Sequence, residues 1–172
     1  GGLGVRLACP DRDVFVMVGD GSYLMMATEL VTAVQEDIKI ITVLVQNHGY
    51  ASIGSLSESL GSQRFGTRYR YRNPETGRLD GDKLPVDLAA NAASLGVDVI
   101  KAATAGEFAD AIKDAKAADH SIVIYVETDP LIGAPDSESW WDVPVSATST
   151  HESTQQARET YDEYKATQKL FL

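Results

Sequence analysis

The sequence predicts an α/β fold, an open and mostly parallel sheet with helices on both faces. Apolar runs rich in Val and Ile lie at residues 14–18 and 38–45, and their lack of polar alternation is typical of strands buried on both faces. Two further candidate strands cover residues 97–101 and 121–127. Segments of helical period separate most of these runs, and this alternation indicates crossover connections between parallel strands.

The first predicted helix covers residues 23–36 and lies between the first two strands. Leu24, Leu30, Val31 and Val34 recur there at roughly helical spacing. With 172 residues and 44% hydrophobic content, the chain can bury a sizeable core around such elements.

Two helices with recognisable ends connect the later strands. Pro85 fits the first position of a helix over 86–95, and Gly96 stands where a left-handed stop is expected. Thr104 and Glu107 form a capping-box pattern that predicts the start of the next helix. The apolar residues that follow at helical spacing are Phe108, Ala111, Ile112 and Ala115.

Two segments have no regular period. Residues 51–84 contain five glycines and many polar side chains, so we predict a long irregular connection, a kind of loop that is often functional. The chain is irregular again after Asp129, and a terminal helix is predicted from near Ser149, where Glu152 has capping-box spacing. Three residues are expected on one side of it: Ala157, Tyr161 and Tyr164.

Composition and charge limit the partners. The formal net charge of -10 argues against a nucleic-acid partner, which needs clustered Lys and Arg. Five arginines do fall within residues 64–78, and they form either an anion site or a solvated loop. No apolar run approaches the ~20 residues of a membrane span. The single Cys9 excludes an intrachain disulfide, and we expect a cytoplasmic protein.

Polar residues follow the first two predicted strands. Asp20 lies between two glycines in "GDGS", and Asn47 follows the second strand 27 residues later in "QNHGY". Ligands of open parallel sheets bind beyond the carboxyl ends of the strands. We therefore expect both oxygen-bearing side chains at one edge of the sheet.

Magnesium and a diphosphate explain this pair of junctions. Backbone N–H groups of Gly21 and Ser22, where the next helix begins, favour a phosphate. A hard divalent cation can join that phosphate to the Asp20 carboxylate, the Asn47 amide and a carbonyl brought into range by Gly49. The alternative for Asp20 alone is a turn in which its side chain bonds its own backbone.

These motifs resemble the magnesium and diphosphate motif of the thiamine diphosphate (ThDP) enzymes, most closely the acetolactate-synthase branch. The family motif commonly ends in two asparagines, and here Gln46 replaces the first while Asn47 retains the metal-binding second. The segments "RNPETGRLDG" and "ESWWDVPV" are similar to a branch of the family that opens a cyclic 1,2-dione in myo-inositol catabolism.

The resemblance implies a set of site residues. Asp20, Asn47 and the Gly49 carbonyl are expected to hold magnesium. His48 is a candidate for proton transfer as well as for cofactor contact, and its alternative role is that of a spacer which shapes the loop. The role of Trp140 and Trp141 is left open between an active-site cover, a subunit contact and packing under the terminal helix. The expected cofactor-binding residues are Gly19, Asp20, Gly21, Ser22, Asn47, His48 and Gly49.

The resemblance also implies what lies outside this chain. Residues 1–148 correspond to the ThDP diphosphate-binding domain without its N-terminal part, and 149–172 to a C-terminal helical extension. The activating glutamate of the family lies on a pyrimidine-binding domain, supplied by the same or a second subunit. We therefore expect a homo-oligomer with a small cyclic dione as substrate, and an isolated chain without activity.

Two alternatives remain at this point. The first is another ThDP enzyme of the acetolactate synthase or decarboxylase type. The second is a non-enzymatic, flavodoxin-like binding module in which the acidic turn is fortuitous.

Overall fold

A computed structural model describes residues 1–133, 135 and 141–169. Its four strands form one sheet in the order β1-β2-β4-β3, and every neighbouring pair is parallel, with Met17 opposite Val43 and Val43 opposite Ile124. The predicted parallel α/β fold is therefore confirmed. The elements are α1 (Gly2–Ala8), β1 (Phe15–Gly19), α2 (Asp20–Met26), α3 (Glu29–Gln35), β2 (Ile41–Gln46), α4 (Ala51–Ser59), α5 (Leu88–Ser94), β3 (Asp98–Ala102), α6 (Ala105–Ala117), β4 (Ile122–Glu127) and α7 (Glu152–Thr167).

Helices pack on both faces of this sheet, because alternate strand residues point to opposite sides. On one face, Leu44 and Val123 form a cluster with Tyr23 of α2, Leu30 of α3 and Leu88 of α5. The other face carries α6, and its cluster comprises Ile41, Ala111, Ala115, Ile122 and Ile124. The two clusters hold β2 and β4 in the centre of the sheet, and these strands carry the residues that end at its carboxyl edge.

The helix predicted over 23–36 is two helices, with a break at Ala27 and Thr28. The N–H groups of Leu30 and Val31 bond the carbonyls of Ala27 and Thr28, three residues back, so one turn is tightened. This turn rotates the buried face. Tyr23, Leu30 and Ala33 are buried, while the Leu24, Val31 and Val34 of the apolar pattern are 44–49% exposed.

Two boundaries in the middle of the chain differ from the prediction. Residues 51–59 form α4 instead of a loop, and the Gly54 backbone of this helix lies against Thr67, close enough that a Cβ would meet its Oγ1 at 2.6 Å. Pro85 precedes α5 instead of starting it, because the Asp87 carboxyl group accepts the Ala90 N–H at 2.9 Å and caps the helix there.

Other helix ends follow the sequence more closely. Gly96 has the predicted left-handed conformation with φ +92°, and Thr104 Oγ1 accepts the Glu107 N–H at 3.2 Å. The terminal helix is confirmed, but it begins at Glu152 and not at Ser149. The predicted capping box does not form, because Ser149 Oγ accepts the His151 N–H instead.

The chain divides into two compact units. Unit one comprises residues 1–50 and 83–130 and contains the sheet, and unit two comprises 51–82 and 131–172. Within unit two, Trp141 packs against the rings of Tyr161 and Tyr164 with centroids 6.3 and 5.5 Å apart. Trp141 therefore packs against α7, while its possible roles as an active-site cover or a subunit contact stay predictions, and Trp140 lies outside the described residues.

In the described part of the chain, no helix combines the length and apolar content needed to cross a bilayer. Cys9 is a half-buried free thiol. The division at residue 148 between a cofactor-binding domain and an extension stays a prediction.

Candidate functional site

The two junctions selected from the sequence lie side by side at the carboxyl edge of the sheet. β1 ends at Gly19, which pairs with Val45 of β2, and β2 ends one residue later at Gln46. Asp20 therefore begins α2 directly beside the chain at Asn47. Parallel register alone produces this proximity, because neighbouring parallel strands end on the same side.

The Asp20 carboxyl group accepts three backbone hydrogen bonds at this edge. It is 1% exposed, its Oδ1 accepts the Gly21 N–H at 2.8 Å, and its Oδ2 accepts the N–H groups of Asn47 at 3.1 Å and Gly49 at 3.0 Å. The local bond to Gly21 is the turn that the sequence left open. The two distant bonds add a further role, because they tie the end of β2 to the start of α2.

Asn47 has a side-chain oxygen that is available to a ligand. Its Oδ1 is buried and has no hydrogen-bond partner within the described residues. A buried amide oxygen without a partner costs about 1–3 kcal/mol, so a site that retains one is suited to a ligand that satisfies it. A divalent cation would do so, and the buried Asp20 carboxyl group, which accepts the Asn47 and Gly49 N–H groups, offers carboxylate oxygens beside the same loop.

The described residues contain no group of three His, Cys, Asp or Glu side chains arranged for a metal ion. A site made of one carboxylate, one amide and one carbonyl lies outside that class, since it needs diphosphate oxygens or water to complete the shell of a hard cation. The residues present therefore fit magnesium held together with a diphosphate, and not a metal held by protein side chains alone.

The glycines beside Asp20 have different roles. Gly21 is buried, and in this structure its N–H donates to Asp20 Oδ1. Its lack of a side chain also matters, because a Cβ would stand 2.5 Å from the Tyr50 ring. Gly19 and Ser22 are exposed, so the N-terminus of α2 is open to solvent.

His48 is fixed by contacts on both sides of its ring. Its backbone has φ 60°, a left-handed conformation that is uncommon outside glycine. The Gln46 amide nitrogen lies 3.0 Å from Nδ1 and also donates to the Val86 carbonyl at 2.9 Å, and Nε2 is hydrogen-bonded to Glu127 Oε1. An amide nitrogen only donates, so Nδ1 accepts and the ring proton is on Nε2, facing Glu127.

Glu127 gathers further groups around this histidine. Lys83 Nζ donates to the same Oε1 at 3.1 Å, and the hydrogen bond from His48, followed by that from Lys83, lowers the pKa of the Glu127 carboxyl group. Tyr125 points its hydroxyl at Oε2 from 3.5 Å, and burial, then the charge of Glu127, raises the pKa of Tyr125 to about 12. These residues line an open cavity of about 600 Å³.

The sequence did not single out Glu127, Lys83 or Gln46 as a group. One signal was available for Glu127, because it ends β4 in register with Gln46 at the end of β2. Lys83 gave none, since it comes from the irregular connection.

A known protein family covers the part of the chain that forms this edge of the sheet. The family described as "Thiamine pyrophosphate enzyme, C-terminal TPP binding domain" matches residues 1–126. The chain belongs to this family. The match favours a ThDP-binding domain over a flavodoxin-like module, and it spans both junctions of the site.

Relatives extend the similarity to most of the chain. A protein named 3D-(3,5/4)-trihydroxycyclohexane-1,2-dione hydrolase 2 from Bacillus cereus is 41% identical over 160 residues, which is 93% of this chain and 25% of the relative. A protein named 3D-(3,5/4)-trihydroxycyclohexane-1,2-dione hydrolase from Bacillus anthracis has the same identity to this chain and the same coverage. The chain thus spans about a quarter of the length of these curated relatives.

Two solved structures share the fold. A ThDP-dependent 4-hydroxybenzoylformate decarboxylase from Rhodococcus jostii is similar with a TM-score of 0.59 and 32% identity, covering 74% of this chain and 22% of that one. A benzoylformate decarboxylase from Polynucleobacter necessarius has a TM-score of 0.58 and 24% identity over 77% of this chain and 22% of its own, which supports the fold only.

Proposed function

We propose that this chain is the C-terminal cofactor-binding part of a ThDP-dependent hydrolase in myo-inositol degradation. The reaction is cleavage of a C–C bond that opens trihydroxycyclohexane-1,2-dione to 5-deoxyglucuronate. The observation that carries this proposal is the 41% identity to hydrolases of this name over 93% of the chain. We further propose that the whole enzyme is cytoplasmic.

Magnesium is proposed to lie against Asp20, Asn47 and the Gly49 carbonyl. The unpartnered Asn47 Oδ1 supports this, since a cation would satisfy a buried oxygen that the protein leaves alone. The three N–H groups that Asp20 accepts hold its carboxyl group in one orientation. A preorganised ligand set of this kind binds without the cost of ordering the loop.

The diphosphate is proposed to lie over Gly19, Gly21, Ser22 and His48. Gly21 keeps the start of α2 close to Tyr50, and Gly19 leaves that start uncovered. His48 lies in the loop that follows β2, and its backbone there has a left-handed conformation. Its ring is engaged with Gln46 and Glu127, which favours the role of shaping the loop over the role of proton transfer.

ThDP, when bound, supplies a nucleophilic carbon and an electron sink for breaking a C–C bond. The contribution of this chain is position and charge. Asp20 and Asn47 would hold the cation, whose positive charge would offset that of the diphosphate, and this anchoring would position the cofactor relative to the sheet. The remaining contacts are assigned to a pyrimidine-binding domain from the same or a second subunit of a homo-oligomer.

Calorimetric titration of the chain with ThDP, with and without magnesium, tests the site. We expect magnesium-dependent binding that is lost in Asn47→Ala and Asp20→Ala. Asp114→Ala, at an exposed position of α6, is the matched control and is expected to bind as the unsubstituted chain does. Binding that survives both site substitutions would rule out the metal assignment.

The whole enzyme tests the substrate. We expect the dione to be opened and pyruvate and benzoylformate to be left unchanged. The second candidate function is a ThDP-dependent decarboxylase, which the 32% identity to the Rhodococcus jostii structure favours. Release of carbon dioxide from a 2-oxo acid, without opening of the dione, would select that candidate.

A further inference from the structure

A second cavity lies within unit two and is lined by arginines. Arg64, Arg68, Arg70 and Arg78 all face this cavity, which has a volume of about 400 Å³. They are half of the eight arginines in a chain whose formal net charge is -10. Such a concentration of guanidinium groups in one concave place is unusual, because like charges repel unless something compensates them. We call this feature the arginine cavity.

Arg68 lacks a partner in its buried part. Its Nε is buried and has no hydrogen bond within the described residues. A guanidinium N–H can only donate, so the buried Nε of Arg68 can be satisfied only by an acceptor. A buried charged donor left alone is costly, and an acceptor that enters the cavity would remove that cost.

Arg64 is held in the cavity by a built turn. It has φ 53°, in the left-handed region, and its side chain is 11% exposed. Both the N–H and the hydroxyl of Thr67 bond the Arg64 carbonyl, at 3.2 and 2.7 Å. Non-glycine residues in this conformation store strain of order 1–3 kcal/mol and cluster at binding sites. The turn therefore gives Arg64 a defined backbone conformation of the kind that occurs at binding sites.

The other arginines retain free donors. Arg70 uses Nη1 for the Gly81 carbonyl at 3.0 Å, and Arg78 uses Nη1 for Gln63 Oε1 at 3.1 Å. Each guanidinium carries five N–H donors, so most of them remain for a ligand. Among the described residues, Arg72 of the same segment lies outside the lining and bonds the Gly77 carbonyl.

Two carboxylates in the lining are already engaged. Glu58 accepts from Arg64 Nε at 2.6 Å, and Asp80 accepts from the Thr76 hydroxyl at 3.0 Å. Four guanidinium groups face these two acids, so the cavity keeps an excess of positive charge. Its size is in the range of small-ligand sites, about 300–1,000 Å³.

We propose that the arginine cavity binds a small oxyanion, a carboxylate or a phosphate ester. Guanidinium groups pair with both through two parallel hydrogen bonds, which a single ammonium cannot do. The site is separate from Asp20 and Asn47 in the sequence, and the proposal does not rest on the function proposed above.

Titration of the 172-residue chain with three probes tests the proposal. The probes are inorganic phosphate, diphosphate and succinate, each added after divalent cations have been removed from protein and buffer with a chelating resin, so that no magnesium-dependent site contributes. We expect saturable 1:1 binding of at least one probe with a Kd of about 1 mM or below. Preference for phosphate or for succinate then distinguishes the two kinds of oxyanion.

Substitutions assign the binding to the cavity. Arg68→Ala and Arg78→Ala are each expected to weaken binding about tenfold or more, and Arg68→Lys also weakens it because Lys lacks the planar fork. The charge-matched controls Arg72→Ala and Arg12→Ala are expected to stay within about twofold. Circular dichroism checks that each variant is folded, and if Arg68→Ala is not, Arg68→Lys and Arg78→Ala decide.

Three results overturn the proposal. One is a folded chain that no probe saturates at about 10 mM. Another is an equal loss in Arg12→Ala, which would mean a general effect of charge. The third is binding that disappears in Asp20→Ala and survives the arginine substitutions, which would assign the probes to the carboxyl edge of the sheet.

Discussion

The Asp20 carboxyl group accepts the backbone N–H of Gly49 at 3.0 Å, joining residues that are 29 positions apart in the chain. The same group accepts the N–H groups of Gly21 and Asn47. Asp20→Ala leaves three N–H groups without an acceptor at a buried position. We expect it to lower the free energy of unfolding by about 2–5 kcal/mol, measured by urea denaturation.

Asp114→Ala is the control for this prediction. Asp114 lies on the exposed surface of α6, so its loss is expected to change the free energy of unfolding by less than about 0.5 kcal/mol. An Asp20→Ala chain as stable as this control would mean that the three hydrogen bonds do not hold the loop.

Asn47→Ala is expected to separate stability from binding. The Asn47 Oδ1 is buried without a partner, so its removal relieves a cost and leaves the free energy of unfolding unchanged or raises it by about 1 kcal/mol. Magnesium-dependent ThDP binding is expected to be lost in the same variant. Urea denaturation and calorimetry on one preparation check both, and a marked loss of stability would show that the amide has a structural role.

The positions of Asp20 and Asn47 illustrate how much of the site the sequence could predict. Asp20 and Asn47 each directly follow a strand, and parallel pairing brings the ends of neighbouring strands together, so the apolar runs alone predicted their proximity. The capping of α6 by Thr104 and the left-handed conformation of Gly96 were also predictable from the sequence, because they depend on residues a few positions away. Interactions between residues that are close in the chain, together with the parallel register of the strands, are therefore enough to predict these features.

The rest depends on contacts that are distant in the chain. Glu127 reaches His48 across 79 positions, and Lys83 reaches Glu127 across 44. α4 consists of "ASIGSLSES", whose serines and glycine favour a helix weakly, and its Gly54 lies against Thr67, 13 positions further along the chain. The sequence holds no periodic signal for either feature.

Glu127→Gln tests the orientation of His48. The amide keeps an acceptor but loses the charge that holds both the His48 ring and Lys83. We expect weaker magnesium-dependent ThDP binding, by about threefold to tenfold, and a change in the ring-nitrogen shifts of His48 in NMR spectra. Glu152→Gln, on the exposed start of α7, is the control. Unaltered ring-nitrogen shifts would count against a positioning role.

The hydrogen bonds of Glu127 with His48 and Lys83 also predict how the stability of the fold depends on pH in the acid range. The pKa of its carboxyl group is lowered below the usual 4.5 in the folded chain. A lowered folded pKa contributes stability that is present above the unfolded value and lost as the pH falls through the folded one. Unfolding midpoints measured below pH 4.5 are therefore expected to fall less steeply in Glu127→Gln than in the unsubstituted chain.

His120 supplies the opposite pH dependence, far from Asn47 in the sequence. Its ring nitrogens bond Asp119 and Asp98, both at 2.9 Å, and these hydrogen bonds raise the pKa of His120 above 6.5. A raised folded pKa gives stability that is complete below the unfolded value and lost as the pH rises through the folded one. NMR titration of the ring is expected to give a midpoint above 6.5 that Asp98→Asn lowers, while ThDP binding stays the same. A midpoint that does not respond to Asp98→Asn would contradict the assigned cause.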